Sequence, residues 1–231
     1  MGTPHVVAIV GSYRRGGTID SLTDAALEGC RAEGATVEKV MLIEKAFGYC
    51  RNCFACYDDA QSPIGRCCQN DGMHQLLELI LSSDGLLLAS PVNCGTVTAL
   101  MKTFIERSTW TACRPTGRFL WLKNLPCSRF ETRRRAAVIT SAGAIPSYLS
   151  PMVLSERQLS GHAAAVFRAD LVGRLFVGEV HGRALTPNEL RRARALGRRL
   201  VAPIPPLQAA CSRVRTSLAP LAEVLGTLVW R

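Results

Sequence analysis

The chain has 231 residues, 48% of them apolar and 20% charged. That is enough for one α/β domain with elaborations and a sizeable buried core, and too little for two ordinary domains. No apolar run approaches the roughly 20 residues of a membrane span. The opening MGTPHVVAIV lacks the basic region and cleavage site of a signal peptide, so a cytoplasmic protein with no membrane partner is expected.

The net charge of +10 is unevenly spread: residues 1–113 carry nine basic and twelve acidic side chains, residues 114–231 nineteen and six. Such a basic half suits phosphate-bearing cofactors or a solvated arginine-rich face, and a nucleic-acid partner is not expected from it.

His5–Val10 is a β-branched apolar run closing on Gly11, a buried strand. Thr18–Glu33 places Ile19, Leu22, Ala25, Ala26 and Gly29 on one helical face, and Gly34 follows as a stop. Thr36–Ile43 reads as a second strand. Residues 44–70 form a long irregular segment, after which Asp71 caps a helix carrying Met73, Leu76, Leu77 and Ile80. Gly85–Ala89 is a third strand, Gly95–Arg107 a helix, and 108–135 a surface excursion rich in Arg, Pro and aromatic residues. Ala136–Thr140 is a fourth strand, Tyr148–Ala163 a helix and Ala169–Val177 a fifth strand. Thr186–Val201 is an arginine-studded helix with Thr186 as cap and Pro187 at its first position. Residues 1–202 are expected to form one domain, and 203–231 a Pro-rich linker and amphipathic tail.

Strands alternating with helices predict a parallel sheet covered on both faces. In such sheets ligands sit beyond the carboxyl ends of the strands, where strand order reverses. The loops after the first and third strands are therefore the places to look.

The first loop, Gly11-Ser12-Tyr13-Arg14-Arg15-Gly16-Gly17-Thr18, opens a helix whose unpaired N–H groups suit a phosphate. Ser12 and Thr18 add hydroxyls and Arg14 adds charge; the pattern is neither a Walker loop nor GxGxxG. The second loop is Ser90-Pro91-Val92-Asn93-Cys94-Gly95, followed by a helix holding Phe104-Ile105-Glu106-Arg107. Between the two lies Cys50-x2-Cys53-x2-Cys56.

These four motifs, in this order and spacing, resemble the NADPH-dependent FMN reductase and iron–sulfur flavoprotein group of the flavodoxin-like superfamily. The resemblance implies a five-stranded parallel sheet of order 2-1-3-4-5 with helices on both faces. It implies FMN as cofactor, NAD(P)H as reductant, a small electron acceptor and a homodimer. Ser12, Arg14, Gly16, Gly17 and Thr18 are then expected at the FMN phosphate. Pro91, Val92, Asn93, Cys94 and Gly95 are expected along the ribityl chain and ring edge, and Thr140, Ser141 and Gly143 beside the ring. No side chain is expected to act as acid or base, since hydride transfer is the cofactor's own chemistry. The chain departs from its relatives at Thr18-Ile19, where many carry Asn then Thr or Ser, and at Asn93, where Tyr or Phe often stands.

Five of the ten cysteines fall between Cys50 and Cys68. The resemblance implies a [4Fe-4S] cluster on Cys50, Cys53, Cys56 and Cys67, although the gap before Cys67 is longer than in the compact motif. A zinc site and unligated thiols are the other readings. Cys94 reads as a small packing residue. His74, His162 and His181 show no metal-ligand spacing, and Arg133-Arg134-Arg135 reads as a solvated run. Trp110, Phe119, Trp121 and Phe130 are divided between a pocket wall and a dimer contact or core.

Three functions follow. One is an FMN-dependent NAD(P)H oxidoreductase passing electrons to a quinone, a flavin or a similar acceptor. The second is an iron–sulfur electron carrier. The third is a flavin-free module that binds an anionic partner.

Overall fold

A computed structural model of the chain describes residues 2–59, 61–115 and 125–202. The predicted tail and the aromatic residues Phe119 and Trp121 lie outside them. The elements run β1 (His5–Val10), α1 (Thr18–Ala32), β2 (Thr36–Met41), α2 (Ala55–Asp58), α3 (Met73–Leu81), β3 (Gly85–Pro91), α4 (Ala99–Ala112), β4 (Cys113–Pro115), β5 (Pro126–Ser128), β6 (Arg134–Ser141), α5 (Ser155–Ala165), β7 (Ala169–Val177) and α6 (Pro187–Val201).

Five strands form one parallel sheet in the order β2-β1-β3-β6-β7. This is the expected 2-1-3-4-5 order, since β4 and β5 belong to a separate antiparallel pair. Val6 pairs with Val37 on one side and Gly85 on the other, and Gly85 continues to Arg135, so the apolar runs stack in register. Successive side chains point to opposite faces of the sheet, which divides the core in two. Val7, Ile9, Leu86, Leu88, Ala136 and Val138 pack under α3, α4 and α5. Val6, Ala8, Val10, Leu87, Ala89, Ala137 and Ile139 pack under α1 and α6. Those two helices touch through their backbones: a Cβ on Gly197 would stand 1.8 Å from the Ala26 carbonyl oxygen.

Several sequence expectations are corrected here. The helix expected from Gly95 begins only at Ala99, because Cys94 (φ 48°) and Gly95 (φ 78°) turn the chain and Thr98 supplies the cap, accepting from Met101 N. That helix runs on through Ala112, five residues into the expected surface excursion. Cys94 is an exposed turn residue and packs into no core. The helix expected over Tyr148–Ala163 is split by Pro151 into a 3-10 turn, Ser147–Met152, and α5. Gly72 is the helix cap of α3, although Asp71 Oδ1 still accepts from Met73 N.

Nor is the arginine run wholly solvated. Arg134 is 3% exposed at the start of β6, stacked 4.6 Å over the Phe130 ring and donating to the Ile80 carbonyl. Burial pushes its pKa down to about 10. Phe130 itself is core.

Candidate active site

A cleft of about 770 Å³ lies beyond the carboxyl ends of the sheet strands. Its walls come from four loops. The first contributes Ser12, Tyr13, Arg14, Gly16 and Gly17, running into Thr18, Ile19 and Ser21 of α1. The second contributes Pro91, Val92 and Asn93, the third Ser141 and Gly143, and the fourth the stretch from Val180 to Leu185.

Local chemistry fixes these loops. Ser12 Oγ accepts from Arg14 N, and Gly16, at φ 64°, donates its N–H to Asp20 Oδ2 at 2.7 Å. Gly17 caps α1 with no side-chain hydrogen bond, so the first turn keeps free N–H donors at the cleft. Burial would raise the Asp20 carboxyl, but the Lys39 ammonium and the Gly16 N–H outweigh it and hold it below the ordinary value. Asp20 is thus turned into the loop and consumed by Lys39 at 2.8 Å. Val92 N donates to the Ser141 carbonyl at 2.7 Å, which joins the second loop to the third.

Among the described residues the lining contains no carboxylate and does contain Arg14, Arg183 and His181. Helix N–H donors with the Arg14 guanidinium beside them make such a wall suited to a phosphate, while Arg183 is paired with Glu189. Ile19, Pro91, Val92, Val180, Leu185 and Leu190 give it an apolar stretch, and its volume is that of an ordinary small-molecule site.

Of the residues singled out in the sequence, Ser12, Arg14, Gly16, Gly17, Thr18, Pro91, Val92, Asn93, Ser141 and Gly143 line this cleft. Cys94, Gly95 and Thr140 do not. Thr140 is fully buried, and its Oγ1 has no hydrogen-bond partner. The fourth loop was missed altogether. Arg183 clamps it by donating to the Glu179, Gly178 and Ala184 carbonyls and to both Glu189 carboxylate oxygens. Glu189 and Thr186 form a capping box at the start of α6, Thr186 N to Glu189 Oε2 and Glu189 N to Thr186 Oγ1. That S/T-x-x-E spacing was the available signal.

A second, small cavity is lined by Cys50, Cys53, Cys56, Cys67 and Cys68, with Phe54, Arg107 and Trp110. Arg107, 1% exposed, donates to both Asp71 oxygens, the Gly48 carbonyl and Cys67 Sγ. Arg129 donates to the Ser62, Cys56 and Tyr57 carbonyls and so ties the cysteine segment to the β4–β5 pair. Trp110 packs edge-on against Phe54 and Tyr57, which places it here and not at the cleft. Burial pushes the Cys56 thiol up to about 11. The Ala55 N–H, and then the Cys68 thiol, hold Cys53 below the ordinary thiol value. Five thiols thus share one cavity, yet among the described residues no three His, Cys, Asp or Glu side chains are arranged to hold a metal ion. His162 is buried, with its Nε2 at 2.8 Å from Ser108 Oγ.

The sequence profile of the NADPH-dependent FMN reductases matches residues 4–169. The chain belongs to that family. Within it, an iron–sulfur flavoprotein of Archaeoglobus fulgidus is 42% identical over 110 residues, 48% of each chain. The match therefore spans about half the length of that relative, and the next curated relatives match over a similar share. A second A. fulgidus iron–sulfur flavoprotein is 26% identical over 206 residues, 85% of this chain and 93% of the other. Among solved structures, an NAD(P)H:quinone oxidoreductase from Methanothermobacter marburgensis superposes with a TM-score of 0.61 at 17% identity, covering 88% of this chain and 99% of that one. An FMN-dependent NADH-azoreductase from Bacillus anthracis, in complex with FMN, gives 0.63 at 13% identity, covering 87% and 100%. At these identities the likeness is one of fold, and it agrees with the flavodoxin-like strand order of this family member.

Proposed function

We propose that this reductase-family chain holds FMN in the large cleft and transfers electrons from NAD(P)H to a small acceptor. The observation that carries the reading is a cleft at the switch point of the sheet, with no carboxylate among its described lining residues and an uncapped helix start at its floor. In this reading the Ser12 and Thr18 hydroxyls and the first N–H groups of α1 bind the phosphate, with Arg14 adding charge. Pro91, Val92 and Asn93 follow the ribityl chain and ring edge, and Ser141 and Gly143 border the ring. Bound FMN supplies hydride acceptance and electron release. The chain's own residues orient it and exclude water; none has to give or take a proton. Quinones, free flavin, azo and nitro compounds are chemically suitable acceptors. The reading includes a homodimer in the cytoplasm.

A second reading, an electron carrier with a [4Fe-4S] cluster on Cys50, Cys53, Cys56 and Cys67, is favoured by the five thiols around one cavity. It is also supported by the names of the curated relatives.

One experiment separates them: an anaerobic absorption spectrum with iron analysis, before and after NADPH. A two-banded flavin spectrum bleached by NADPH, with no iron, supports the oxidoreductase. Broad brown absorbance with about four irons per chain and no response to NADPH supports the carrier. A colourless protein that takes up no FMN overturns both.

A further inference from the structure

Two of the five clustered thiols face each other. Cys53 Sγ and Cys68 Sγ lie 3.2 Å apart, across 15 residues of chain, and both residues are exposed. The other three are otherwise engaged: Cys56 is buried, Cys50 Sγ accepts from Asn52 N, and Cys67 Sγ accepts from Gln69 N and Arg107 Nη2. The loop that presents Cys53 is fixed in shape. Left-handed Asn52 (φ 49°) and Phe54 (φ 58°) bracket it, and the Phe54 ring is held 5.0 Å from Trp110. A disulfide requires about 2.0 Å between sulfurs, and both residues are exposed, with no core packing around either thiol.

We propose that Cys53 and Cys68 form a redox-active dithiol site that takes small disulfides as oxidants. One thiolate attacks a sulfur of R–S–S–R, forming a mixed disulfide and expelling RS⁻. The other thiolate attacks the protein sulfur of that mixed disulfide, forming the Cys53–Cys68 bond and expelling the second RS⁻. Two protein thiols lose two electrons and two protons, and R–S–S–R gains them as two RSH. The bond withdraws Cys53 from any metal, so oxidation of this pair and metal loading at the cavity exclude one another. The site does not depend on FMN in the large cleft.

The test uses the full chain, stripped of metal with chelator and reductant and then exposed anaerobically to oxidised glutathione. Free thiols are alkylated before trypsin digestion and mass spectrometry. Cleavage after Arg51, Arg66 and Lys102 puts Cys53 in peptide 52–66 and Cys68 in peptide 67–102. The expected product joins these two peptides through Cys53 and Cys68, with Cys56, Cys67 and Cys94 alkylated. Cys68→Ser is expected to lose the link and carry glutathione on Cys53, and Cys53→Ser to carry it on Cys68. Full alkylation of the oxidised wild type overturns the proposal, as does a link through Cys56, Cys67 or Cys94, or a Cys68→Ser protein that still joins the peptides.

Discussion

The Thr98 hydroxyl donates to the Gly11 carbonyl at 2.7 Å, binding the loop after β3 to the loop after β1 across 87 residues of sequence. The same oxygen accepts from Met101 N, so one buried side chain both caps α4 and sets the spacing between the two main walls of the cleft. Gly11 has to be glycine for this approach, because a Cβ there would stand 2.6 Å from Met101 Cβ. Thr98→Val keeps the shape and removes both hydrogen bonds. It is expected to cost about 1–3 kcal/mol in urea denaturation and to weaken FMN binding in a fluorescence titration. Unchanged FMN affinity would separate the cleft from this tie.

Replacement of Ser12 by tryptophan tests the phosphate end of the cleft. Ser12 is 6% exposed, at the floor beside Gly17 and Thr18. The variant should fold, judged by circular dichroism, and lose FMN during purification; normal FMN stoichiometry would remove the first loop from the phosphate site.

Glu189 gives a pH prediction with a definite sign. Hydrogen bonds from Arg183, and then from the Thr186 backbone and hydroxyl, lower its pKa from 4.5 to about 2. A carboxyl depressed on folding contributes stability that is complete above its unfolded pKa and is lost as pH falls through the folded one. The wild type should therefore lose stability progressively between about pH 5 and pH 2. In Glu189→Gln this part of the acid dependence should vanish, with a neutral-pH loss of about 1 kcal/mol for the weakened cap. Thermal melts across that range, with FMN affinity as a second readout of the Arg183 clamp, check both.

Like Arg129, Arg107 is a buried cation bonded to the cysteine segment. Removing it in Arg107→Met leaves Asp71, whose side chain is 17% exposed, without its partner, and breaking such a pair costs about 3–5 kcal/mol. Adding Asp71→Asn should recover much of the loss, because the unpaired charge is what is expensive. A double-mutant cycle in urea measures it; purely additive losses would show that the pair is not coupled.

The central strands were readable because each is a short apolar run that a parallel sheet buries on both faces, as in Val6–Val10 and Leu86–Ala89, while the edge strand β2 alternates and was readable from its β-branched residues. The first three cleft loops were readable because each directly follows such a strand. The contacts of Arg107, Arg129 and Arg134 were not, since their partners are carbonyls and carboxylates far away in sequence: Arg134 reaches Ile80 and Arg129 reaches Ser62. Arginine runs in a sequence carry no mark of such partners. The start of α4 was misplaced because the apolar spacing continues through residues 95–98, while two left-handed residues, Cys94 and Gly95, override it. His181 shows no metal-ligand spacing in the sequence, and the fold exposes it on the wall of the cleft.

The walls of the cleft are drawn from both ends of the domain, from Ser12 to Leu190. A nascent chain therefore has no complete cradle until α6 has left the ribosome. The thiols at Cys50 to Cys68 emerge well over a hundred residues earlier, so they are open to their surroundings before the cleft can enclose a ligand.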